Sequence, residues 1–514
     1  MPLIGVLLYA LVWALAACFP LTDSDIWWHL ASGRDMLLQG HWLRQDPFTY
    51  SAAGASWINV HWLYQLVLYD VNNWGGSGAL VALHSLAWGV TAWVWVRTEP
   101  KANFGWLWLL LPMVLSAHFL FLARPLVFTL LLLGLQRLLV VKYHRGGRLW
   151  LGLGLCQVVL ANIQGLFLLG PILFVLFGLR DRQSLKILWA KALYLLVVSG
   201  LNPAGPYLWI YPLRLLRRLL PGNSFASNVS ENVSPMHALV GGAWNGAATL
   251  WQALGLLVCT GLGLWIFWRE PKSRSMLWVW GPLLTLAWLA ERNIPLCYAI
   301  CLPWIACYMP TPSWHAWSRW IGGVILFACL VGQGQWWFAR PDAVAPFRFP
   351  QGASLFIARH AGLSEDPSRV FAEIRQSGYL TWRLYPIVQT YVDGRLILRD
   401  EAFFNRYLQY PTHPQEFFAD LDRDSVEWVV LPVAYPPGWD QLAPHIQRNP
   451  CWQLVFLDEC SWVYVRKNSS RAALEIEKIS VQDSIREAFQ ARSTAWPFYM
   501  KREGEYWLGR AMFL

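Results

Sequence analysis

Asp23-Ser-Asp-Ile-Trp-Trp-His29, continued through Asp46-Pro-Phe-Thr-Tyr50 to Asn59-Val-His61-Trp62, decides how this chain is read. It follows the first apolar run, and it crowds acids, imidazoles and indoles into one polar segment. What that segment means depends on its surroundings. The chain has 514 residues, 56% hydrophobic and 14% charged, with 35 Trp, and a mean hydropathy of +0.33. A soluble protein of this length cannot bury so much apolar surface, so the pattern predicts an α-helical polytopic membrane protein. The formal charge of +10 does not point to nucleic acid, because cytoplasmic loops of membrane proteins collect Lys and Arg. The indoles fit interfacial belts and, less specifically, sugar-stacking surfaces.

A helix needs about 20 apolar residues to cross roughly 30 Å of hydrocarbon. Runs near 3–21, 77–96, 105–123, 125–141, 149–161, 163–179, 186–201, 248–268, 276–290, 293–310 and 320–338 predict about eleven transmembrane helices. The 149–179 pair is short enough to be half-depth or broken. Leu15-Ala-Ala-Cys18 looks like a lipoprotein cleavage box, but no Lys or Arg precedes it and spans follow. It is read as part of an uncleaved first span.

Basic residues set the orientation. With the N-terminus inside, the inner loops hold Arg97 and Lys101; Lys142, Arg145 and Arg148; Arg180, Arg182, Lys186 and Lys191; Arg269, Lys272 and Arg274; and Arg319. The positive-inside rule then places 22–76, 202–247 and everything after about 340 outside, the periplasm of a bacterium whose inner membrane the chain would span. Three regions follow: a transmembrane domain over 1–340 with outer loops 22–76 and 202–247, a periplasmic α/β domain over 341–467, and a 468–514 tail with an amphipathic helix and an aromatic end. The α/β reading rests on β-rich runs Arg369–Ile374, Ile387–Val392, Val426–Val433, Trp452–Leu457 and Trp462–Val465 alternating with helical ones. Asp393-Gly394 is a turn signal. Cys451 and Cys460 lie in this soluble region, where a disulfide between them is an open alternative to free thiols.

In the first outer loop, Asp25, Trp28, His29 and Ser32 share a helix face, and Trp62 to Tyr69 forms a second amphipathic piece at the interface. Tyr207 to Leu220 carries Arg214, Arg217 and Arg218, a basic helix suited to anionic headgroups or a lipid phosphate. Asp23 and Asp25 are explained equally well as a helix N-cap with a favourable first-turn charge and as acids for chemistry. His29 and His61 tilt the balance: two carboxylates and two imidazoles can bind a divalent metal or supply a general base. Asp23, Asp25 and His61 are the candidate ligands, although no dedicated zinc spacing is present, so Mg, Mn and Zn are not distinguished. Arg124-Pro125, Asn162-Ile-Gln164-Gly165, Asn202-Pro203 and Glu291-Arg292-Asn293 all map to outer connections. Charges in hydrocarbon cost roughly 2.5–3.5 kcal/mol each on insertion scales, so they usually face a cavity or a partner. Taken singly they can also pair or snorkel at helix ends. Together they outline an outward cavity with arginines able to hold a phosphate.

On these residues the chain resembles the GT-C superfamily of polyprenyl-phosphate-sugar-dependent glycosyltransferases, and more narrowly a group of bacterial glycosyltransferase-like membrane proteins. The matching pieces are Asp25 to Gly33, Asp46 to Tyr50, Trp57 with His61-Trp62-Leu63, Arg124-Pro125, Asn202 to Tyr207, Arg292-Asn293-Ile-Pro295, Gly378 to Trp382 and Asp393-Gly394-Arg395. The likeness extends from about residue 20 to 410. It implies a GT-C-like fold and an acid of the first outer loop, Asp25 or Asp23, as base or metal ligand. Where relatives often have Asn-x-His-Gly, this chain has Asn162-Ile-Gln164-Gly165, which implies an altered substrate, altered metal use or lost activity.

The expected function is transfer of a sugar from a polyprenyl-phosphate-linked donor to a periplasmic glycan, lipid or protein, with no nucleic acid partner. Asp25 and Asp23 are the expected catalytic residues. His29, His61, Arg124, Asn162, Gln164, Asn202, Glu291 and Arg292 are the expected substrate contacts. The alternative is a non-catalytic lipid- or glycan-binding subunit of an envelope assembly. In the soluble region, Glu373, Arg383, Asp393, Arg395, Asp400 and Glu401, with Trp382 and Tyr385, form either an acceptor surface or an ordinary solvated face.

Overall fold

The apolar runs become helices. The computed structural model describes residues 3–143, 146–218, 222–240, 246–309, 320, 322–331, 343–345, 348–362, 366–433, 438–458, 460–467 and 477–478. Helices occupy Leu3–Ala16, Leu126–Lys142, Gly147–Ile163, Leu169–Arg180, Leu185–Val198, Gly246–Arg269, Leu277–Leu289 and Ile294–Tyr308. The 105–123 run is instead broken into Phe104–Leu109, Leu111–Ser116 and a 3-10 turn at His118–Leu120. Pro112 explains the break at Leu110, since it has no N–H to offer Trp108 and its ring crowds that carbonyl.

The Trp62–Thr98 helix is interrupted at Gly75 and Gly76, the latter with φ 63°. Glycine tolerates that left-handed backbone at little steric cost, and the break separates the amphipathic start from the apolar remainder. Among the described residues, this helix and Thr249–Arg269 are the two long and apolar enough to cross a membrane. Leu3–Ala16, Gly105–Ser116, Gly147–Ile163, Leu169–Arg180 and Gly322–Val331 are apolar but shorter, where the sequence pattern predicts spans.

The exposed surface of these helices is itself apolar. On Leu185–Val198, Leu185, Ile187, Trp189, Leu193 and Val197 face outward, while Leu188, Ala192 and Leu195 are buried. Water would penalise such a face, and lipid would not.

The chain separates into two compact units: Met1–Phe19, Val60–Tyr64 and Gly78–Gln333 form one, and Pro20–Asn59, Gln65–Ser77 and Gly334–Leu514 the other. Most of 22–76, expected as an outer loop of the 1–340 region, is thus grouped with the C-terminal region. Backbone pairing is the cause. Leu21 pairs with Val344 and Thr49 with Thr390, both in parallel, with Leu21 N–H donating to Ala343 O at 2.8 Å and Thr390 N–H to Phe48 O at 3.2 Å.

The second unit is built on a mixed sheet of order β2-β1-β3-β5-β4-β6. Its strands are β1 (Ser368–Ala372), β2 (Val388–Thr390), β3 (Trp428–Pro432), β4 (Trp452–Leu457), β5 (Ser461–Arg466) and β6 (Glu477–Lys478). β1 runs parallel to β2 and β3, while β5 is antiparallel to β3 and β4. The first five strands fall on the β-rich runs of the sequence. The Gln351–His360 and Ile374–Leu384 helices pack Phe356, Ile357, Leu380 and Leu384 against Val370, Trp428, Val430 and Val463. Cys451 and Cys460 are free thiols, one exposed and one buried. The expected amphipathic helix at 471–491 and the aromatic end lie outside the described residues, apart from β6.

Candidate functional site

In the second unit the Asp25–Gln39 helix opens with acids. Asp23 is buried, and its Oδ1 accepts the Asp25 N–H at 3.2 Å. It therefore does the work of a cap at a helix start whose Ser24 side chain makes no capping bond. Asp25 is half-buried, and its Oδ1 accepts from Trp28 Nε1 at 3.2 Å. His29 is buried, its ring 3.6 Å from that of Trp28 and its Nδ1 3.4 Å from Gln65 Nε2. Gln65 and Asn59 exchange two hydrogen bonds, at 2.7 and 3.0 Å, which fixes the amide beside His29.

The same unit holds a closed ionic cluster. Arg395 Nη2 lies 2.7 Å from Asp46 Oδ1 and 2.6 Å from Asp393 Oδ2, and its Nε is 3.0 Å from both Asp393 oxygens. Its guanidinium lies 4.8 Å from the ring centres of both Phe48 and Trp57. Burial alone would depress this guanidinium, but Asp393 and Asp46 more than offset it and hold it above its usual value. Arg399 adds Nη2 contacts to Thr49 Oγ1 at 2.7 Å and Ser51 Oγ at 2.9 Å. Two carboxylates and two guanidiniums close the charge balance. Asp46-Pro-Phe-Thr-Tyr50 and Asp393-Gly394-Arg395 are thus two halves of one staple.

In the first unit, Arg124 pairs with Glu231, each side chain 24% exposed. Arg292 sits within their field: burial pulls its guanidinium below the usual value, Glu231 opposes this, and Arg124 adds to it. Glu291, behind them, is buried, accepting from Thr249 Oγ1 at 3.4 Å while its N–H donates to Val233 O at 3.1 Å. His61 is half-buried at the head of the Trp62–Thr98 helix, and desolvation pushes its imidazole down to about 4, so it is neutral near pH 7.

No protein-family profile matches this chain, and no curated protein matches it. Solved structures do. The archaeal oligosaccharyltransferase AglB from Archaeoglobus fulgidus, in complex with an inhibitory peptide and a dolichol-phosphate, aligns at TM-score 0.54 and 10% identity over 84% of this chain and 69% of that one. The apo form of the Archaeoglobus fulgidus oligosaccharyltransferase aligns at 0.50 and 12% over the same shares, 84% and 69%. ArnT from Cupriavidus metallidurans, bound to undecaprenyl phosphate, gives 0.49 and 14% over 92% of this chain and 99% of that one. The chain has the fold of the Archaeoglobus fulgidus oligosaccharyltransferase.

On this fold the sequence-picked residues divide. Asp23, Asp25 and His29 come together in the second unit; Arg124, Arg292 and Glu291 do so in the first. Asn162 and Asn202 hold helix ends. Asn162 Oδ1 accepts from Trp62 Nε1 at 2.7 Å and Asn202 Nδ2 at 3.0 Å, and its Nδ2 donates to Val158 O and Leu201 O at 2.7 and 2.9 Å. Gln164 accepts from the Thr129 hydroxyl. These amides make hydrogen bonds within the protein. Asp23, Asp25 and His61 do not assemble a three-ligand metal set, since no group of three or more His, Cys, Asp or Glu side chains suited to a metal occurs among the described residues. His61 belongs to the other unit.

The acceptor surface drawn on the soluble region also becomes structural. Asp393 and Arg395 are buried in the staple. Glu373 and Asp400 cap helices, accepting from Arg375 N–H and Phe403 N–H, each at 2.8 Å. Trp382 lies under the Arg34 guanidinium at 4.8 Å. Sequence reading missed Glu231, although it is the sole acid in 202–247, a segment otherwise charged only by arginines. That isolation was the available signal.

Proposed function

We propose that this chain transfers a sugar from a polyprenyl-phosphate-linked donor to an acceptor outside the cytoplasm. The observation that carries the proposal is the part-exposed pairing of Arg124 with Glu231, with Arg292 in the field of both, on a fold similar to a transferase solved with dolichol-phosphate. Guanidiniums suit a phosphodiester or a departing phosphate. In the reaction the acceptor heteroatom forms a bond to the anomeric carbon, the bond from that carbon to the phosphate oxygen breaks, and the polyprenyl phosphate leaves with the electron pair. Asp25 takes the acceptor proton. Asp23 orders the helix start that carries Asp25. The residues at hand do not form a metal set, so no step is routed through a metal.

The test is transfer from a panel of radiolabelled polyprenyl-phosphate sugars by purified protein supplemented with membrane extract as acceptor source, comparing wild type with Asp25→Asn. Transfer lost in Asp25→Asn with carrier binding retained supports the proposal. Carrier binding without transfer in either protein supports instead a lipid-binding subunit, the reading favoured by Gln164 standing where relatives often have an imidazole.

A further inference from the structure

Gly394 lies against the candidate base. A Cβ built on Gly394 would fall 2.0 Å from Asp25 Oδ1 and 2.9 Å from Trp28 Nε1. The backbone here therefore touches the pair formed by that carboxylate and its indole donor. The loop carrying Gly394 has little freedom, because Asp393 on one side and Arg395 on the other are bonded to each other, and Arg395 is bonded to Asp46 as well. The arginine side chain is 1% exposed, and those of the two acids 0% and 2%. A second line of contact leads to the same place. Trp57, under the Arg395 guanidinium, packs edge-on to Trp28 at 6.2 Å and 65°, and Trp28 donates to Asp25. Both routes start at Arg395 and end at one carboxylate.

We propose that the Asp393-Gly394-Arg395 loop is the positioning element of Asp25: its backbone sets the carboxylate's rotamer, and Gly394 is glycine because a side chain would evict that carboxylate. This rests on the glycosyltransfer reading, in which Asp25 is the base. The physics separates position from stability. The atoms that a Cβ would strike belong to side chains, so the cheapest relief is rotation of Asp25 and not rearrangement of the fold. A base turned by about 1 Å from its working place can cost on the order of 100-fold in rate.

The experiment compares wild type, Gly394→Ala and Val430→Ala, a core truncation away from Asp25 that gauges general loss of stability. For Gly394→Ala the expected result is a roughly 100-fold lower kcat with KM for the carrier unchanged, a displaced acid limb of the pH–rate profile, and a Tm no lower than that of Val430→Ala. Val430→Ala keeps the wild-type pH profile. A second readout needs no turnover: carbodiimide-driven amide formation at Asp25, mapped by mass spectrometry, rises several-fold in Gly394→Ala. Turnover and labelling both equal to wild type would overturn the proposal. Changed labelling in a protein that transfers no sugar would keep the positioning role and remove the transferase reading.

Discussion

The two arginine clusters of this protein are built from the same groups and behave oppositely. Arg395, with Asp46 and Asp393, is sealed between Phe48 and Trp57, with its carboxylates almost wholly buried. Arg124, with Glu231, stays about a quarter exposed, with Arg292 in the field of both. A sealed cluster gives no access to another ion. A part-exposed cluster does. Burial, and not residue type, separates a structural staple from a candidate binding site.

The sharpest way to break this contrast is Arg395→Met. It strands two buried carboxylates, and about 3–5 kcal/mol of stability should go with the guanidinium. Thermal unfolding of the purified protein, followed by protease resistance of the 341–467 region, measures it; an unchanged Tm would mean that the cluster is no staple. Asp25→Asn should remove about 100- to 10,000-fold of transfer rate at unchanged Tm, so that the acid is spent on chemistry where Asp46 and Asp393 are spent on folding. Equal losses of Tm and rate would erase that distinction.

A third test uses pH. Burial raises the Glu373 carboxyl to about 7, with Arg375 and the Arg375 and Gln376 backbone N–H groups pulling the other way. Folded-state pKa above unfolded means the folded protein holds the proton more tightly. The associated stability is therefore full below about pH 4.5 and fades as pH rises through about 7. Glu373→Gln should flatten that slope of Tm against pH; a slope that survives assigns it to another group. The smallest effect is expected from Glu231→Gln. Exposed ion pairs are worth about 0.2–1 kcal/mol, so freeing Arg124 should tighten polyprenyl phosphate binding by a few-fold, read by titration of the carrier. Weaker binding would make Glu231 a ligand contact and not a competitor.

Much of this was legible in the chain. Five strand positions followed from β-rich runs, because a buried strand needs consecutive apolar and β-branched residues wherever it sits. The helices followed from apolar runs, although Pro112 cut the 105–123 run where a hydropathy window sees continuity. Among the site residues, Arg124 and Arg292 were singled out from the cost of charge beside hydrocarbon, and both lie in the field of Glu231. Asn162, Gln164 and Asn202 were singled out by the same reasoning and turned out to be tied up in helix-end hydrogen bonds. Sequence reports that a polar group is present, but not whether a neighbouring carbonyl has already claimed it.

The sequence by itself determined the apolar helical character, the strand positions of the α/β region, and the residue types that chemistry requires. Tertiary structure alone decided that Asp46 and Asp393 share one arginine across more than three hundred residues of chain, and that Gly394 rests on Asp25. It also decided that residues 20–59 and 65–77 group with the C-terminal region. Local sequence carries propensity and pattern; ion pairing and close backbone approach depend on distances that chain folding alone creates.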